Sequence, residues 1–245
     1  MSTTLPGTLH GIGLGPGDPD LLTVKAVRTL ETAPVVAYFA KAGRCGYARG
    51  IAARWMPQKC VELPLHYPVT TEIRFDDPRY IDQLASFYAQ AADRLAAHLE
   101  AGRDVALLCE GDPFFYGSFM HLYMRLRGRF ACKVVPGVTG MSGCWTATGE
   151  PITWGDDILT VLPATLPATI LRDRLQTADA IVLMKLGQNL PKARAALVAT
   201  GLAERAIYVE RGTMANEVVM PLLEKTDDDA PYFAVILVPG HGRRP

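Results

Sequence analysis

The sequence lacks an excess of either charge and lacks any long apolar segment. Its 245 residues carry 25 Lys and Arg against 25 Asp and Glu, and 49% of them are hydrophobic. Balanced charge gives the chain no general attraction to nucleic acid phosphates, and this apolar content is typical of a folded protein rather than a disordered one. The longest apolar runs, at 35–40 and 232–238, fall well short of the roughly 18 residues of a membrane-spanning helix.

Several catalytic and cofactor motifs are also missing. The sequence contains no Gly-Lys pair for a Walker-type phosphate loop, no HExxH for a catalytic zinc ion and no CxxC pair among its five cysteines. The segment around Ser142 misses the last glycine of the serine-hydrolase elbow. The first ten residues have neither the basic nor the apolar section of a secretory signal. We therefore expect a cytoplasmic protein without disulfides or a catalytic metal.

Apolar runs alternate with longer amphipathic stretches through the first 150 residues, which predicts a parallel α/β sheet. Strands are predicted at 9–14, 35–39, 59–63, 104–109 and 132–135, and helices at 20–31, 47–55, 78–101, 116–126 and 139–148. In the third helix, apolar residues recur at 3.6-residue spacing from Ile81 to Leu99. Strands that are apolar throughout are typical of a sheet covered by helices on both faces.

The segment from Gly149 to Asp157 interrupts this pattern, so we expect a domain boundary between residues 150 and 151. Beyond it, strands are predicted at 158–162, 180–184, 206–210, 218–222 and 232–238, and helices at 168–176 and 190–200. The last strands lie too close together in sequence for crossover helices, so at least one pair should be antiparallel. The prediction is two α/β domains, 1–150 with a parallel sheet and 151–245 with a mixed sheet.

Glycine-rich segments follow three predicted strands of the first domain. They are Gly11-Ile-Gly-Leu-Gly-Pro-Gly17, Gly111-Asp-Pro-Phe114 and Val135-Pro-Gly-Val-Thr-Gly140. The first segment lacks the third glycine of a dinucleotide fingerprint in every frame, but its glycines still let a ligand or another strand approach the backbone closely. Because ligands of open parallel sheets bind at the carboxyl ends of strands, the three segments together predict a ligand site at one sheet edge.

Cations are concentrated in two spans that contain no acid. The first span holds Lys41, Arg44, Arg49 and Arg54, and the second covers 125–133. Each span is either a solvated face or a receptor for an anionic ligand. In a neutral chain, a small polycarboxylate suits such a local patch better than a long nucleic acid does.

In their order along the chain, these motifs resemble the tetrapyrrole methylases, enzymes that use S-adenosyl-L-methionine to methylate corrinoid and sirohaem precursors. The resemblance rests on segments 13–23, 111–114 and 135–139 and on Gly212-Thr213 near the end. Segments 65–72 and 182–187 are similar to the branch of the family that methylates C(20) of precorrin-2. The resemblance implies a homodimer that takes S-adenosyl-L-methionine and a tetrapyrrole, with the active-site cleft between the two α/β domains.

The resemblance also implies which residues bind the two ligands. By position in the family's motifs, the donor site would include Pro16, Gly111, Asp112, Phe115, Thr139, Gly140, Met184, Lys185 and Gly212. For the carboxylates of the tetrapyrrole, which suit charge-assisted pairs, we expect Lys41, Arg44, Arg49, Tyr67 and Thr70. Glu72, His66 and Tyr67 are candidate bases for the proton displaced from C(20), and the sequence does not choose among them.

Other functions stay open at this point. Within the family, the substrate could instead be cobalt-bearing precorrin-2 or uroporphyrinogen III. A related RNA ribose methylase would need a broader basic face, and a non-catalytic α/β module would bind its ligand without turnover. The absence of a nucleophilic triad does not argue against methyl transfer, because positioning an activated methyl group against an electron-rich carbon supplies much of the rate.

Overall fold

The computed structural model of the protein describes residues 5–68 and 77–242, which form two five-stranded sheets. The chain divides into two compact units, Met1–Thr139 and Gly140–Pro245, with one sheet in each. Within the described residues, no helix combines the length and the apolar content that crossing a membrane requires.

The sheet of the first unit is parallel throughout, as predicted. Its strands are β1 (Leu9–Gly13), β2 (Val35–Lys41), β3 (Val61–Tyr67), β4 (Val105–Cys109) and β5 (Cys132–Val135), in the order β3-β2-β4-β1-β5. Its helices are α1 (Val24–Glu31), α2 (Tyr47–Ala52), α3 (Pro78–Glu100) and α4 (Phe119–Leu126).

Both faces of this sheet are buried, which explains why β4 is apolar at every position. Leu107 belongs to a core with the inner residues of α3 and α4. Its neighbour Leu108 belongs to a separate core with α1 and α2. Because successive side chains of a strand point to opposite faces, a strand covered on both sides has no position for a polar residue.

Helix α1 begins at Val24, later than the predicted residue 20, because Thr23 caps it. The Thr23 Oγ1 accepts the N–H of Ala26 at 3.1 Å. The preceding residues form a separate 3-10 turn, which starts after Asp18, and the Asp18 carboxylate accepts the N–H of Asp20 at 2.8 Å. Asp18 therefore caps the turn, and Thr23 caps the helix.

Helix α3 is amphipathic as predicted, but its first turns are exposed. Leu95 and Leu99 are fully buried, whereas Ile81, at the start of the predicted apolar stripe, is 57% exposed. A helix of 23 residues is about 34 Å long, while a strand of 5 residues is about 17 Å long. Because α3 is longer than the strands that it covers, one end of the stripe has no sheet to pack on.

The second unit has a mixed sheet, which confirms the antiparallel pairing expected near the end of the chain. Its order is β6-β7-β10-β8-β9, and only β6 and β7 pair in parallel. The strands are β6 (Leu159–Pro163), β7 (Ala180–Met184), β8 (Ile207–Glu210), β9 (Val218–Pro221) and β10 (Ala234–Val238). The helices are α5 (Gly140–Thr148), α6 (Ala168–Leu175) and α7 (Leu190–Ala199).

The division between the units lies before helix α5, whereas the sequence placed the boundary after it. Cys144 of α5 packs in one buried cluster with Val182, Val209 and Leu237 of the mixed sheet. The glycines and prolines after the helix break the secondary structure, but they do not separate the helix from the core that it covers. Turn-forming residues therefore locate the end of an element better than the end of a packing unit.

Candidate active site

The three glycine-rich segments meet at the carboxyl edge of the parallel sheet. The Gly111 N–H donates to the Gly15 carbonyl at 2.8 Å, and the Gly15 N–H donates to the Gly111 carbonyl at 3.3 Å. These residues follow β4 and β1, which are neighbours in the sheet, and β5 lies on the other side of β1. The predicted convergence of the segments is therefore confirmed.

The glycines at this edge allow the segments to pack on one another. A Cβ added at Gly13 would lie 2.5 Å from the Gly137 nitrogen, and one added at Gly137 would lie 2.1 Å from the Gly111 carbonyl oxygen. Both distances are shorter than real side-chain contacts. Gly13 and Gly137 therefore allow other backbone segments to approach closely. The sequence had left open whether such glycines allow close approach of a ligand or of other backbone.

Asp112 fastens two of the segments together. Its Oδ1 accepts the N–H of Phe114 at 2.8 Å within its own loop, and its Oδ2 accepts the N–H of Gly137 at 3.0 Å from the loop after β5. The predicted donor residues Gly111 and Asp112 thus lie in the same loop cluster as Gly137. A carboxylate has about four acceptor positions, and these two hydrogen bonds use two of them.

The other donor residues expected in this unit lie in the same loops. Pro16 is buried directly after Gly15, and Thr139 lies two residues after Gly137. Phe115 makes an edge contact with Tyr116, with ring centroids 4.9 Å apart, and Tyr116 has a φ of 54°. Left-handed backbone is uncommon for a tyrosine and is found mainly where the surrounding structure requires it.

A second set of loops lies at one edge of the mixed sheet. Strands β7 and β8 are both antiparallel to β10, so their carboxyl ends lie at the same edge. Met184 ends β7, and Lys185, which follows it, has a φ of 57°. After β8, the residues on either side of Gly212 have φ values of 51° and 72°. The predicted residues Met184, Lys185 and Gly212 therefore share this edge, and non-glycine residues in left-handed backbone concentrate there.

A partly buried charge network holds the strained turn after β8. The Glu210 carboxylate accepts a hydrogen bond from the Tyr208 hydroxyl at 2.8 Å and another from the Arg211 guanidinium at 2.6 Å. The Arg211 Nε also donates to the Asn216 carbonyl at 2.9 Å. Burial and the neighbouring carboxylate raise the pKa of Tyr208, so its hydroxyl stays a donor at neutral pH. These contacts fix the backbone in a conformation that it would not adopt alone.

Two features of this turn and of helix α5 concern ligand binding. The hydroxyl of Thr213 is buried and has no hydrogen-bond partner in the described part of the chain. At Gly140, no described atom lies within 4 Å of an added Cβ. Gly212 is different, because a Cβ there would lie 2.8 Å from the Cys144 Cα. A polar ligand can form a hydrogen bond with a buried hydroxyl that has no partner, and it can occupy the space beside a glycine.

The basic patch is less cationic in space than it is in sequence. Arg49 forms a bidentate pair with Glu62, at 2.8 Å from Nη2 to Oε1 and 3.1 Å from Nε to Oε2. Tyr38 donates to the same carboxylate at 2.9 Å, and the Arg49 guanidinium lowers the pKa of Glu62. Lys41, the last residue of β2, and Arg44, in the turn that follows, are both exposed. The span contains no acid, yet its net charge in the folded protein is lower than the sequence suggests. The reason is that the carboxylate partner of Arg49 comes from strand β3.

Tyr67 is the candidate base that the structure places in a defined environment. It ends β3, and its hydroxyl lies 2.5 Å from the Ser118 Oγ. His66 precedes it and is exposed. Thr70 and Glu72, the other predicted residues of this segment, lie outside the described residues.

Comparison with known protein families bears on all of these residues. The family model of the tetrapyrrole (corrin/porphyrin) methylases matches residues 8–226. This chain belongs to the tetrapyrrole methylases. It is therefore a methyltransferase, as the ordered motifs predicted.

Individual relatives of this tetrapyrrole methylase include two C(20)-methyltransferases and one solved structure. The chain is 55% identical over 245 residues to the precorrin-2 C(20)-methyltransferase of a Sinorhizobium species, a match that covers 100% of both chains. It is 28% identical over 237 residues to the cobalt-precorrin-2 C(20)-methyltransferase of Salmonella typhimurium, covering 95% of this chain and 96% of that one. Its fold matches uroporphyrin-III C-methyltransferase of Thermus thermophilus complexed with S-adenosylhomocysteine, with a TM-score of 0.67, 23% identity and coverage of 95% and 92%.

Glu110, the first residue after β4, is not among the residues predicted for either ligand, but it contacts an element far away in sequence. Its carboxylate accepts the N–H of Ala48, at 3.1 Å, in the first turn of helix α2. Burial raises the pKa of Glu110. The residue thus joins the glycine loop after β4 to the helix that carries Arg49. Its signal in the sequence was an acid directly after a fully apolar strand.

Replacing Gly137 by alanine should destabilise this tetrapyrrole methylase, because the added Cβ would lie 2.1 Å from the Gly111 carbonyl oxygen. We expect the free energy of unfolding, measured with urea, to fall by about 1–3 kcal/mol, the ordinary range for overpacking. Gly140→Ala is the matched control, since no described atom lies within 4 Å of a Cβ at that position. Equal losses in the two variants would contradict the steric explanation.

Glu110→Gln should change the pH dependence of stability. The raised pKa of Glu110 means that, between its ordinary and its raised value, the folded protein binds more protons than the unfolded chain does. The free energy of unfolding of the wild type therefore falls as pH rises through that window, by about 1.4 kcal/mol for each pKa unit. Glutamine keeps a carbonyl oxygen that can accept the Ala48 N–H, and it does not titrate. The variant should therefore gain free energy of unfolding relative to the wild type only at pH values above the ordinary pKa of Glu110.

Urea unfolding at pH 4 and pH 7.5 measures this difference. Glu31→Gln, which changes an exposed carboxylate on helix α1, is the control. A stability difference between Glu110→Gln and the wild type that is the same at both pH values would rule out the titration of Glu110 as its cause.

Proposed function

We propose that this tetrapyrrole methylase transfers a methyl group from S-adenosyl-L-methionine to C(20) of precorrin-2 and so forms precorrin-3A in corrin (cobalamin) biosynthesis. The observation that carries the proposal is the 55% identity, over both complete chains, with a relative named for that reaction. Cobalt-bearing precorrin-2 is the second candidate substrate, because a relative at 28% identity is named for it. The difference in identity favours the metal-free substrate.

Residues of the second unit fit a methyl donor that has polar ends. The buried Thr213 hydroxyl lacks a partner in the described chain, and Gly140 leaves space beside the backbone. S-adenosyl-L-methionine supplies a methyl group activated by a sulfonium, and the structure solved with S-adenosylhomocysteine has the same fold. The donor residues that we propose are Pro16, Gly111, Asp112, Phe115, Thr139, Gly140, Met184, Lys185 and Gly212.

The main contribution of the protein to this reaction is to position the methyl donor against the tetrapyrrole. Holding two reactants in line can lower a barrier by about 7–11 kcal/mol without a nucleophilic side chain. Asp112 fixes the loops after β4 and β5 through two backbone N–H groups, and the Glu210 network fixes the turn that contains Gly212. Loops held in this way keep their shape while a ligand binds, so binding energy is not lost in ordering them.

The tetrapyrrole side of the proposal rests on the exposed cations after β2. Lys41 and Arg44 lie at the carboxyl edge of the sheet, where a polycarboxylate can reach them. Arg49 already has a carboxylate partner in Glu62, so we expect it to shape the patch rather than to bind the substrate directly. A homodimer and a cytoplasmic location remain predictions.

The proposed function can be tested in two steps. Isothermal calorimetry with S-adenosyl-L-homocysteine should give saturable binding, and no binding at high ligand concentration would remove the methyltransferase proposal. Anaerobic assays with precorrin-2, cobalt-precorrin-2 and uroporphyrinogen III, each with carbon-13-labelled donor, should then give one methylated product. We expect precorrin-3A, identified by its mass and by the labelled methyl carbon in NMR. A methyl group on another ring carbon would contradict the proposed position of methylation. Faster turnover of another tetrapyrrole would contradict the proposed substrate.

Arg44→Ala should raise the KM for the tetrapyrrole several-fold and leave the Kd of S-adenosyl-L-homocysteine unchanged, because it removes an exposed cation at the substrate edge. Arg103→Ala is the control, since this exposed cation lies two residues before the start of β4, at the opposite edge of the sheet. Steady-state kinetics at low ionic strength measure the effect. If the two variants have the same KM, the basic patch does not bind the substrate.

A further inference from the structure

A cavity with cationic walls runs along helix α1 in the first unit. It has a volume of about 590 Å³, which is within the ordinary range of small-molecule sites. Helix α1 and the turn after it line one side, and His10 of β1 and Asp104, directly before β4, line the other. Both strand residues lie at the amino ends of strands, whereas the glycine loops follow the carboxyl ends. The cavity shares no residue with the proposed donor site or with the basic patch.

Two cations of helix α1 line this cavity without a partner. Lys25 and Arg28 lie three residues apart, so their side chains are neighbours on the helix surface. Both are exposed, and neither forms an ion pair with any residue of 5–68 or 77–242. Lys133, in the second acid-free span of the sequence, is the register partner of His10 on β5 and adds a third positive charge nearby. The cavity therefore carries an excess of positive charge.

His10 and Asp104 form a titratable pair in the cavity wall. The His10 Nε2 lies 3.7 Å from the Asp104 Oδ2, and the Asp104 Oδ1 accepts the N–H of Thr8 at 2.7 Å. Burial lowers the pKa of His10; Asp104 opposes this effect, and Lys133 and Lys25 add to it. A protonated imidazole neutralises the Asp104 carboxylate, whereas a neutral one leaves the carboxylate to repel an anion. Protonation of His10 therefore favours an anion in the cavity.

The other lining residues define the class of anion. The hydroxyls of Thr29 and Thr32 donate to carbonyls of their own helix at 2.8 Å and 3.3 Å, so the two cations and the His10 imidazole are the donors left for a ligand. A lysine and an arginine can balance both charges of a phosphate group, and a guanidinium can bind two of its oxygens. Val24 and Ala33 add apolar wall, and the cavity is larger than one phosphate group fills. These features suit a phosphate group attached to an organic body.

We propose that this cavity binds a phosphate ester, with the phosphate group held by Lys25 and Arg28 and with the His10 imidazole as a third donor. The inference goes beyond the proposed function, because no residue of the cavity takes part in methyl transfer. It gives the first unit a second ligand site, on the helix that follows the first glycine segment.

A phosphorus-31 NMR titration of the full chain with phenyl phosphate, at low ionic strength and pH 6, tests the site. The wild type should show saturable binding, and Lys25→Ala and Arg28→Ala should each raise the Kd about five- to ten-fold by removing a charge-assisted contact. Alanine is a strong helix former, so helix α1 persists in both variants. Lys59→Ala is the matched control, since this exposed lysine before β3 does not line the cavity.

Two results of this titration would overturn the inference. One is the absence of saturable binding by the wild type, and the other is an equal Kd for Lys25→Ala and Lys59→Ala. Inorganic phosphate in place of phenyl phosphate separates the two sources of a phosphate group. Weaker binding of inorganic phosphate supports an ester, and equal binding would overturn the ester in favour of the free ion.

The role of His10 can be tested with sulfate, which keeps two charges between pH 5.5 and pH 8. Because a bound anion favours the protonated imidazole, saturating sulfate should raise the pKa of His10, measured from its proton–carbon NMR resonance. His10→Gln assigns that resonance, and His121 on helix α4 is the internal control. The Kd of sulfate should also rise between pH 5.5 and pH 8 in the wild type and change less in His10→Gln. An unchanged pKa of His10 would overturn its part in the site.

Calorimetry with S-adenosyl-L-homocysteine separates this inference from the proposed function. Saturating phenyl phosphate should leave the Kd of S-adenosyl-L-homocysteine unchanged, and mutually exclusive binding of the two ligands would overturn a second site. If the wild type does not methylate precorrin-2, the proposed function fails, but the phosphate titrations of the wild type and its variants keep their expected results.

Discussion

The close packing of glycine backbone at the carboxyl edge of the parallel sheet is the constraint on which the candidate site of the first unit depends. With side chains at Gly13 and Gly137, the loops after β1 and β5 would be driven apart and the Gly111 carbonyl displaced. Asp112 then fastens the packed loops through two backbone N–H groups. The loop after β4 can therefore present Asp112 near its start and Ser118 at its end in a fixed arrangement, although it has no regular secondary structure between them.

Charged side chains near the carboxyl edge of the parallel sheet find their partners in other elements of secondary structure. Arg49 lies in a stretch of sequence without acids, yet it is neutralised by Glu62 from the neighbouring strand. Glu110 is a single acid after an apolar strand, and it joins the glycine loops to helix α2. In both cases the electrostatic role of the residue is decided by its partner in another element of secondary structure. Lys41 and Arg44 are exposed at the carboxyl end of β2, although the whole chain is neutral.

Much of the architecture was predictable because burial leaves a regular pattern in the sequence. The apolar run of β4 predicted a strand covered on both faces, and the spacing in α3 predicted its buried stripe. The errors have physical causes. Ile81 is exposed because α3 is longer than the sheet beneath it, and helix α5 belongs to the second unit because Cys144 packs in that core. Periodicity reports which face of an element is apolar, but not where the neighbouring element ends.

The sequence by itself determined the family, the alternation of strands and helices and the three glycine segments at strand ends, because each of these is written in residues close together in the chain. Only the tertiary structure decided that Arg49 and Arg54 of the patch pair with Glu62 and Asp20, that Thr213 is buried without a partner in the described chain and that the Tyr67 and Tyr88 hydroxyls lie within hydrogen-bond distance of the Ser118 hydroxyl. Those properties depend on contacts between residues far apart in sequence. No local pattern encodes such contacts, because the strand order that creates them arises only when the sheet assembles.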